Sequence, residues 1–595
     1  MFTTTPSLLL LALAHAVSSF ASSVVPPILK VPVADWQALN ASVDGRLNIL
    51  TPLAAPCYSR YDADGQTKPH IPDLETCRIV QDNGHNAAFI SSQPAGYQDP
   101  FYGTCMSEGL GCPLDNLPSN GTARPIPATC YQGRVPDYYI DVRKVSDIQA
   151  GLKFAEDHDI PVVVKNTGHD YRGRSAGAHA LALWTHNLQP EIQLDEDFKP
   201  DMCEKPVGPV IMYGAGQQFQ GIYEFTHQNG YMALGGACPT VGASGGYVTG
   251  GGHSLLSPSY GLGVDNVMQM KVVLPNGTYV TANRCQNQHI FFALRGGGGA
   301  TFGVVTETTV RVFPEVPLQM AVIAFASPLT REVTSLLVEN GVKWAEEGWG
   351  GYVSSLGASN SLLMAITPKL TLEEARLSMK PMIDFAGPLN NGSLRFGVDV
   401  TTVENYWEFL KTPAIQYVGG LIDGISVAQS SRLVPRENFS TEAKKQELTD
   451  VLSEMPYGIN MVGPAAFKLP ESDQPGGPGE ASVTPAWREA IWHVIMQTAW
   501  DAKVQKPHPP QFFVERFREI SETVQPLRDI TPNGGAYQNE ADAYEPNHIH
   551  SFWGYENYNR LLGIKKDVDP TNLITCHNCV GADMNDGRLR CYPRI

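Results

Sequence analysis

The sequence predicts an α+β fold in more than one domain, and three observations carry that prediction. The chain has 595 residues, 43% of them apolar, which is more than one hydrophobic core normally organises. From Tyr138 onward, short β-branched runs alternate with helical segments and then give way to a glycine-rich stretch. From Val316 to Asp529, longer helical periodicities are interleaved with short strands. The formal net charge of -17, with no long basic tract, argues against a nucleic-acid or anionic-membrane partner.

At the N-terminus, Leu8 to Ala16 form a short apolar run followed by small residues, with Ala14-His15-Ala16 and Ser19-Phe20-Ala21 as cleavage sites. Residues 1–21 therefore read as a secretory signal. The run is too short for a spanning helix, which needs about 20 apolar residues. The expected location is outside the cell or in the secretory-pathway lumen, vacuole or cell wall. Sequons at Asn40, Asn120, Asn276, Asn391 and Asn438 agree with that route. The eleven cysteines are an odd number, so an oxidising compartment leaves one outside any disulfide, and the sequence does not say which. Residues 22–125 are rich in Pro, Gly, Asn and Asp and read as a loop-rich, disulfide-stapled segment.

A domain at 126–315 follows. Tyr139-Ile-Asp-Val142 reads as a strand, Ser146 as the cap of a helix running through Glu156, and Val162 to Val164 as a buried strand. Leu181 to Trp184, Val210 to Tyr213 and Met270 to Leu274 supply further strands, Gln217 to Gln228 a helix, and Pro275-Asn-Gly-Thr278 a hairpin turn. Within this region Lys165-Asn-Thr-Gly-His-Asp-Tyr-Arg-Gly-Arg-Ser175 joins a strand, a turn and a nucleophilic His169. Gly168 lets backbone pass close to a bulky ligand, and Lys165, Arg172 and Arg174 suit an anionic one. A second run, Gly235 to Ser254, holds so much glycine around Cys238 that neither a helix nor an ordinary strand is expected. Bare backbone there can approach a flat or phosphorylated ligand and offer N–H groups to phosphate oxygens. It is not a dinucleotide fingerprint, because G-x-G-x-x-G after a strand is absent.

A second domain at 316–530 is read from helices Ser327 to Glu346, Thr371 to Asp384 and Thr484 to Val504, and from a strand Gly351 to Leu356. Pro470 to Pro485, with its Gly-Gly-Pro-Gly, reads as a mobile surface loop. In the last segment, 531–595, Cys576-His-Asn-Cys579 and His548-Ile-His550 offer zinc-type ligands. A disulfide is the preferred reading of that C-x-x-C in a secreted chain, and no metal is expected.

The Lys165–Ser175 stretch, Cys238-Pro-Thr-Val-Gly242, Tyr260-Gly-Leu-Gly-Val-Asp-Asn266 and Ala293-Leu-Arg-Gly-Gly-Gly-Gly-Ala-Thr-Phe-Gly-Val-Val305 together resemble the berberine bridge enzyme-like flavoproteins of the vanillyl-alcohol oxidase superfamily. The flavour is that of secreted fungal FAD-linked oxidases of the isoamyl alcohol oxidase type. His289-Ile-Phe-Phe292 stands where relatives often have Asp-Leu-Phe-Trp, and Ala300 replaces a glycine. The resemblance implies a PCMH-type FAD-binding domain of two α/β subdomains, a substrate domain whose antiparallel sheet is covered by helices, and a C-terminal segment that returns to the FAD domain. It implies a bicovalent FAD, with His169 on the flavin 8α-methyl and Cys238 on C6, which would leave ten cysteines to pair. The remaining cofactor contacts it implies are Lys165, Asn166, Thr167, Gly168, Asp170, Arg174, Ser175, Val241, Gly242, Gly245, Gly246, Gly250, Gly251, Gly252, His253 and Val304.

The resemblance also makes Tyr537, in Tyr537-Gln-Asn539, the base on a substrate hydroxyl and puts Asn539 near the flavin. A tyrosine with a reference pKa of about 10 is a poor base at neutral pH. A helper such as Asp399, Arg432 or a histidine is therefore expected. Val241 matches the family's gate position, where valine goes with access of oxygen to the ring. The expected activity is a secreted oxidase of an alcohol-type small molecule, with molecular oxygen as acceptor and peroxide as product, acting as a monomer. A carbohydrate oxidase, or a flavin-bearing binding protein with little turnover, are the alternatives.

Overall fold

The computed structural model describes residues 25–595 apart from 64, 116, 356–358, 391, 393 and 421–423. The expected signal at 1–21, the sequon at Asn391 and the end of the Gly351–Leu356 strand lie outside the described residues.

Strand Val162–Lys165 forms where the β-branched run stands and pairs in parallel with Leu181–Trp184, which pairs in parallel with Tyr138–Asp141. An antiparallel Leu47–Ile49 closes that sheet. The helix after Tyr138–Asp141 is Val145–Asp157, and Ser146 does not cap it. Instead the carboxylate of Asp147 accepts the backbone N–H groups of Arg143 and Lys144 and caps from inside the first turn. Ile148, Leu152 and Ala155 bury the inner face of this helix against Ile140, Leu181 and Leu183.

The second sheet is antiparallel, in the order Tyr279–Asn283, Val267–Val273, Val304–Pro314, Val210–Gly214 and Gln193–Asp195. The expected hairpin turn at residues 275–278 links its first two strands, and helix Phe219–Gln228 packs Phe219, Ile222 and Tyr223 on its core. The glycine-rich run corrects the expectation that no helix forms there: Ala243–Tyr247 is a π-helical turn and Val248–Gly250 a single α-turn. Such turns present backbone N–H groups without a long rod.

The third sheet has seven antiparallel strands: Val398–Val403, Leu318–Phe325, Ser361–Thr367, Gly350–Ser355, Gly458–Met461, Ala490–Trp500 and Ser426–Pro435. Helices Arg331–Glu346, Leu372–Ala386, Glu442–Ser453 and Pro510–Ile530 share a core with it. Thr371, expected as the first residue of the second of these, is instead its cap, with Glu374 completing the box. The helix expected over Thr484–Val504 is a correction. Pro485–Arg488 is a 3₁₀ turn and Ala490–Trp500 is a strand paired on both sides, which suits its β-branched and aromatic residues.

Five disulfides join Cys57–Cys77, Cys105–Cys591, Cys112–Cys130, Cys203–Cys285 and Cys576–Cys579, and Cys238 is the cysteine outside them. Cys105–Cys591 ties the N-terminal segment to the chain end, while Arg172 donates to the carbonyls of Gln538 and His577 and so brings the last segment onto the first sheet. His548 and His550 lie on a short helix, His548–Trp553, rather than on a strand. The Pro470–Pro485 segment is anchored: Arg295 donates to the Gly479 carbonyl, the Ser482 N–H returns a bond to Arg295, and Ser482 and Val483 are buried. Asn438 is buried and donates to the Ile530 carbonyl, which removes it as a glycan acceptor in the folded chain. No helix of the described residues is long and apolar enough to cross a membrane.

Candidate active site

Two cavities meet at His169. The first runs between the turn after strand Val162–Lys165 and the glycine-rich run. Its walls include Asn166, Thr167, Gly168, His169, Asp170, Arg174 and Ser175 on one side, and Val241, Gly242, Gly245 and Gly246 on the other. Gly168 has a φ of +86°, and a Cβ there would meet the Gly96 carbonyl oxygen at 2.3 Å, so glycine is required by both conformation and space. A Cβ on Gly242 would stand 2.7 Å from the Asn166 amide. Asp170 accepts the N–H and hydroxyl of Ser175 and faces Arg174 at 3.7 Å, so the loop is closed on itself.

The second cavity extends from His169 and Cys238 toward the third sheet. It shares Val241, Gly246, Tyr247 and Arg174 with the first and adds His253, Tyr537, Asn539 and Glu540. At the junction, His169 Nε2 lies 3.9 Å from Cys238 Sγ, and both contact the Thr240 hydroxyl, at 2.7 and 3.4 Å. Burial, helped by the charge of Lys165, pushes the His169 imidazole down to about 3, so it is neutral and nucleophilic at physiological pH.

Beyond the junction a polar cluster forms. Asn539 donates to the Gly246 carbonyl at 2.6 Å and to the Tyr537 hydroxyl at 2.7 Å, while its Oδ1 accepts from Arg174 at 2.7 Å, which fixes the amide. Glu540 accepts from His253 Nε2 at 3.1 Å and from His493 Nε2 at 2.8 Å. Burial works against the Glu540 carboxylate, but the two imidazoles outweigh it and hold it well below the usual range. Burial, reinforced by the Glu540 charge, pushes the Tyr537 phenol up despite its two donors. Trp487 packs its ring against His253, His493 and Tyr537 and walls the cluster from one side.

Comparison with known proteins decides the family. The FAD binding domain family matches residues 136–283, and the family described as berberine and berberine like matches residues 536–580. The FAD-linked oxidoreductase ffsJ of Aspergillus flavipes is 34% identical over 630 residues, covering 97% of this chain and 95% of that protein. The chain belongs to the berberine bridge enzyme-like FAD-linked oxidoreductases. An FAD-linked oxidoreductase of Pyricularia oryzae, OXR2, is 32% identical, with 92% of each chain covered. A crystallised VAO-type flavoprotein of Myceliophthora thermophila C1 is 27% identical with a TM-score of 0.76, covering 94% of this chain and 97% of its own. A chitooligosaccharide oxidase shares the fold at 17% identity, with a TM-score of 0.59 and cover of 80% and 95%.

For a berberine bridge enzyme-like oxidoreductase the first cavity is where FAD would bind, and its walls fit that group. Asn166 Oδ1, Arg174 Nη1 and Ser244 Oγ are buried there without a hydrogen-bond partner among the described residues, one acceptor and two donors set for a ligand carrying phosphates and hydroxyls. Most expected contacts line this cavity, and seven do not. Lys165 is turned away and donates to the Gln93 carbonyl at 3.0 Å. Gly250, Gly251 and Gly252 instead pack under Asn539, Tyr537 and Tyr247, where a Cβ would meet those side chains at 2.4, 3.4 and 2.7 Å. Val304 points into the core, and its strand neighbour Val305 takes the cavity wall. His253 and Cys238 line the second cavity. Of the expected helpers of Tyr537, Arg432 is spent on Thr531 and Glu545, and Asp399 stands on an edge strand with its carboxylate on the Val400 N–H. The histidines are the neighbours, with the His253 and His493 rings 5.4 and 5.8 Å from that of Tyr537. The sequence reading missed Tyr247, Ser244, Thr185 and Ala215 in the first cavity, and Glu540 and His493 beside the second. Glu540, directly after Asn539, carried a signal as a carboxylate in a proposed catalytic turn.

Proposed function

We propose that this oxidoreductase carries FAD tethered at His169 and Cys238 and oxidises a hydroxyl on a small, largely apolar molecule such as a secondary-metabolite intermediate, with dioxygen as acceptor and hydrogen peroxide as product. The observation that carries the reading is the 3.9 Å approach of a neutral imidazole to a cysteine sulfur at the mouth between a glycine-walled cradle and a separate chamber. When bound, the flavin supplies the two-electron acceptor for the substrate C–H. The chain's own part is positioning. Asn539, locked by Arg174 and Gly246, holds the Tyr537 hydroxyl over the chamber floor, where both can orient a substrate oxygen. Val241 lies in the walls of both cavities, the place of a gate between ring and solvent.

The chamber favours the apolar substrate over an oligosaccharide. Away from the polar cluster its wall carries Ala237, Val418, Ile495, Tyr352 and Tyr457, with Ser354, Ser355, Gln429, Gln497 and Asn460 among them, and its apolar surface exceeds its polar surface. Two experiments test the proposal. Denaturing precipitation followed by peptide mass mapping should leave flavin on peptides containing His169 and Cys238. Peroxide release should follow addition of alcohols, aryl alcohols or lactols more strongly than oligosaccharides. Flavin that washes out sinks the tether. Silence on every class with flavin retained points to a binding protein.

A further inference from the structure

Three segments far apart in the chain converge on one carboxylate. His253 comes from the glycine-rich run, His493 from the strand Ala490–Trp500, and Glu540 from the turn that follows Tyr537, its N–H bonded to the Tyr537 carbonyl. Their two Nε2 atoms and a carboxylate oxygen lie within 4.8 Å of one another. An ionised carboxylate only accepts hydrogen bonds, so each imidazole must carry its proton on the Nε2 that faces Glu540. The basic nitrogen of each ring is then Nδ1. In His493 that atom is buried and has no partner among the described residues, and the ring is fully enclosed. In His253 the ring forms part of the chamber wall, with Nε2 committed to Glu540.

Tyr537 has no such vacancy. Its oxygen accepts from Asn539 Nδ2 at 2.7 Å and from the Gly252 N–H at 3.3 Å, and its proton points to the Tyr247 carbonyl at 3.4 Å. A hydroxyl offers one donor and two acceptor positions. Both acceptor positions are filled, so Tyr537 has no room to take a proton, while its one donor, held only by the 3.4 Å contact, can turn to a substrate oxygen.

Resting on the alcohol-oxidase reading, we propose that His253 Nδ1 takes the substrate hydroxyl proton, with Glu540 fixing the imidazole tautomer and stabilising the imidazolium, while Tyr537 stays protonated and orients the oxygen. The division of labour is that of a serine-protease histidine and its aspartate, applied to an alcohol. The substrate O–H bond breaks and its proton moves to Nδ1. The carbinol C–H bond breaks and its hydrogen leaves with the electron pair for the oxidised flavin, and the O–H electron pair forms the C=O bond. Dioxygen then takes the two electrons with two protons, one from the reduced flavin and one returned by His253, and leaves as hydrogen peroxide. His493 is a positioning residue, its Nε2–H holding the second face of Glu540.

The test uses the flavin-loaded protein in two arms. With benzyl alcohol in stopped flow, His253→Ala should slow flavin reduction by about 10²- to 10⁴-fold, the usual contribution of a general base. Imidazole added to the buffer should restore part of that rate, and Tyr537→Phe should slow reduction far less. The second arm needs no turnover. In protein labelled with ¹⁵N-histidine, the His253 signals, assigned by their loss in His253→Gln, should show the Nε2–H tautomer. Flavin absorbance and melting temperature identify variants that fail to fold, and His253→Gln keeps the ring volume where alanine does not. Reduction that survives His253→Ala but collapses in Tyr537→Phe overturns the proposal and returns the base to tyrosine. An Nδ1–H tautomer overturns it as well, as does a stoichiometric divalent metal that disappears in His493→Ala. A wild type that oxidises no alcohol at all sinks the underlying reading instead, and the tautomer still judges this inference separately.

Discussion

The cofactor cradle and the substrate chamber share His169, Val241, Gly246 and Tyr247, yet they are assembled by opposite means. The cradle is made mainly of three stretches, 164–175, 241–249 and 298–305, whose small residues leave backbone and a few orphaned polar atoms facing inward. Its chemistry is that of a rigid receptor, and burial keeps its His169 imidazole neutral. The chamber draws side chains from the glycine-rich run, the seven-stranded sheet and the C-terminal turn, and keeps a buried carboxylate ionised by pairing it twice. A receptor built from contiguous backbone should tolerate changes in the distant segments. A chamber built from long-range pairs should not.

The sharpest way to break this comparison is at the shared wall. Replacing both His169 and Cys238 by alanine should release all flavin on acid precipitation, while each single variant should retain it, as read by absorbance of pellet against supernatant. Complete release from either single variant would mean that one tether carries the linkage alone. It would also make the junction part of the cradle only.

The next largest effect concerns Lys165, buried behind the cradle strand with its ammonium on the Gln93 carbonyl. Desolvation pushes its pKa down to about 7. Between pH 7 and the reference value of about 10.4 the unfolded chain therefore holds a proton that the folded chain has shed, so folding stability rises with pH across that window. Compared with Lys165→Met, the wild type should gain stability as pH is raised from 7 to 10, by an amount on the order of 4 kcal/mol for so large a shift. Parallel melting curves for the two proteins across that range would show that the lysine is not desolvated.

Removing the Cys105–Cys591 bridge by serine at both positions tests the other side of the comparison, because it frees the segment that carries Tyr537 and Glu540 into the chamber. A loss of about 2–4 kcal/mol is expected from a long-loop disulfide. Substrate-dependent reduction should suffer before flavin retention does. Equal loss of both would show that cradle and chamber unfold as one unit.

How much of this was legible in the sequence follows the same division. The turn at Asn166–Ser175 and the run from Cys238 to Gly246 declared themselves because their residue types are demanded locally, by positive φ at Gly168 and by the close approach of Gly242 to Asn166. The chamber was half legible. Tyr537 and Asn539 stood in a recognisable turn, but His493 was hidden by the misreading of Thr484–Val504 as a helix. The first five residues of the strand Ala490–Trp500 are buried on both faces, so the period-two alternation that marks a strand is missing where it mattered. Pro470–Pro485 misled in the opposite sense: its composition suggested mobility, and long-range bonds to Arg295 override it.

The smallest effect expected is also the one that separates the two halves of a turnover. Val241 is partly buried in both cavity walls, next to Gly242 and three residues after Cys238, with its own N–H on the Cys238 carbonyl. On the proposed alcohol-oxidase reading, dioxygen, which is small, must reach the reduced ring after the product has formed, whereas the alcohol would enter through the wider chamber. One added methylene at residue 241 therefore narrows the oxygen route without filling the chamber. Val241→Leu should slow reoxidation by oxygen several-fold and leave reduction by the alcohol nearly unchanged, measured in separate stopped-flow half-reactions. Equal slowing of both would mean that the side chain shapes the common floor of the two cavities, and that the boundary between cradle and chamber lies deeper, at Tyr247 and Asn539.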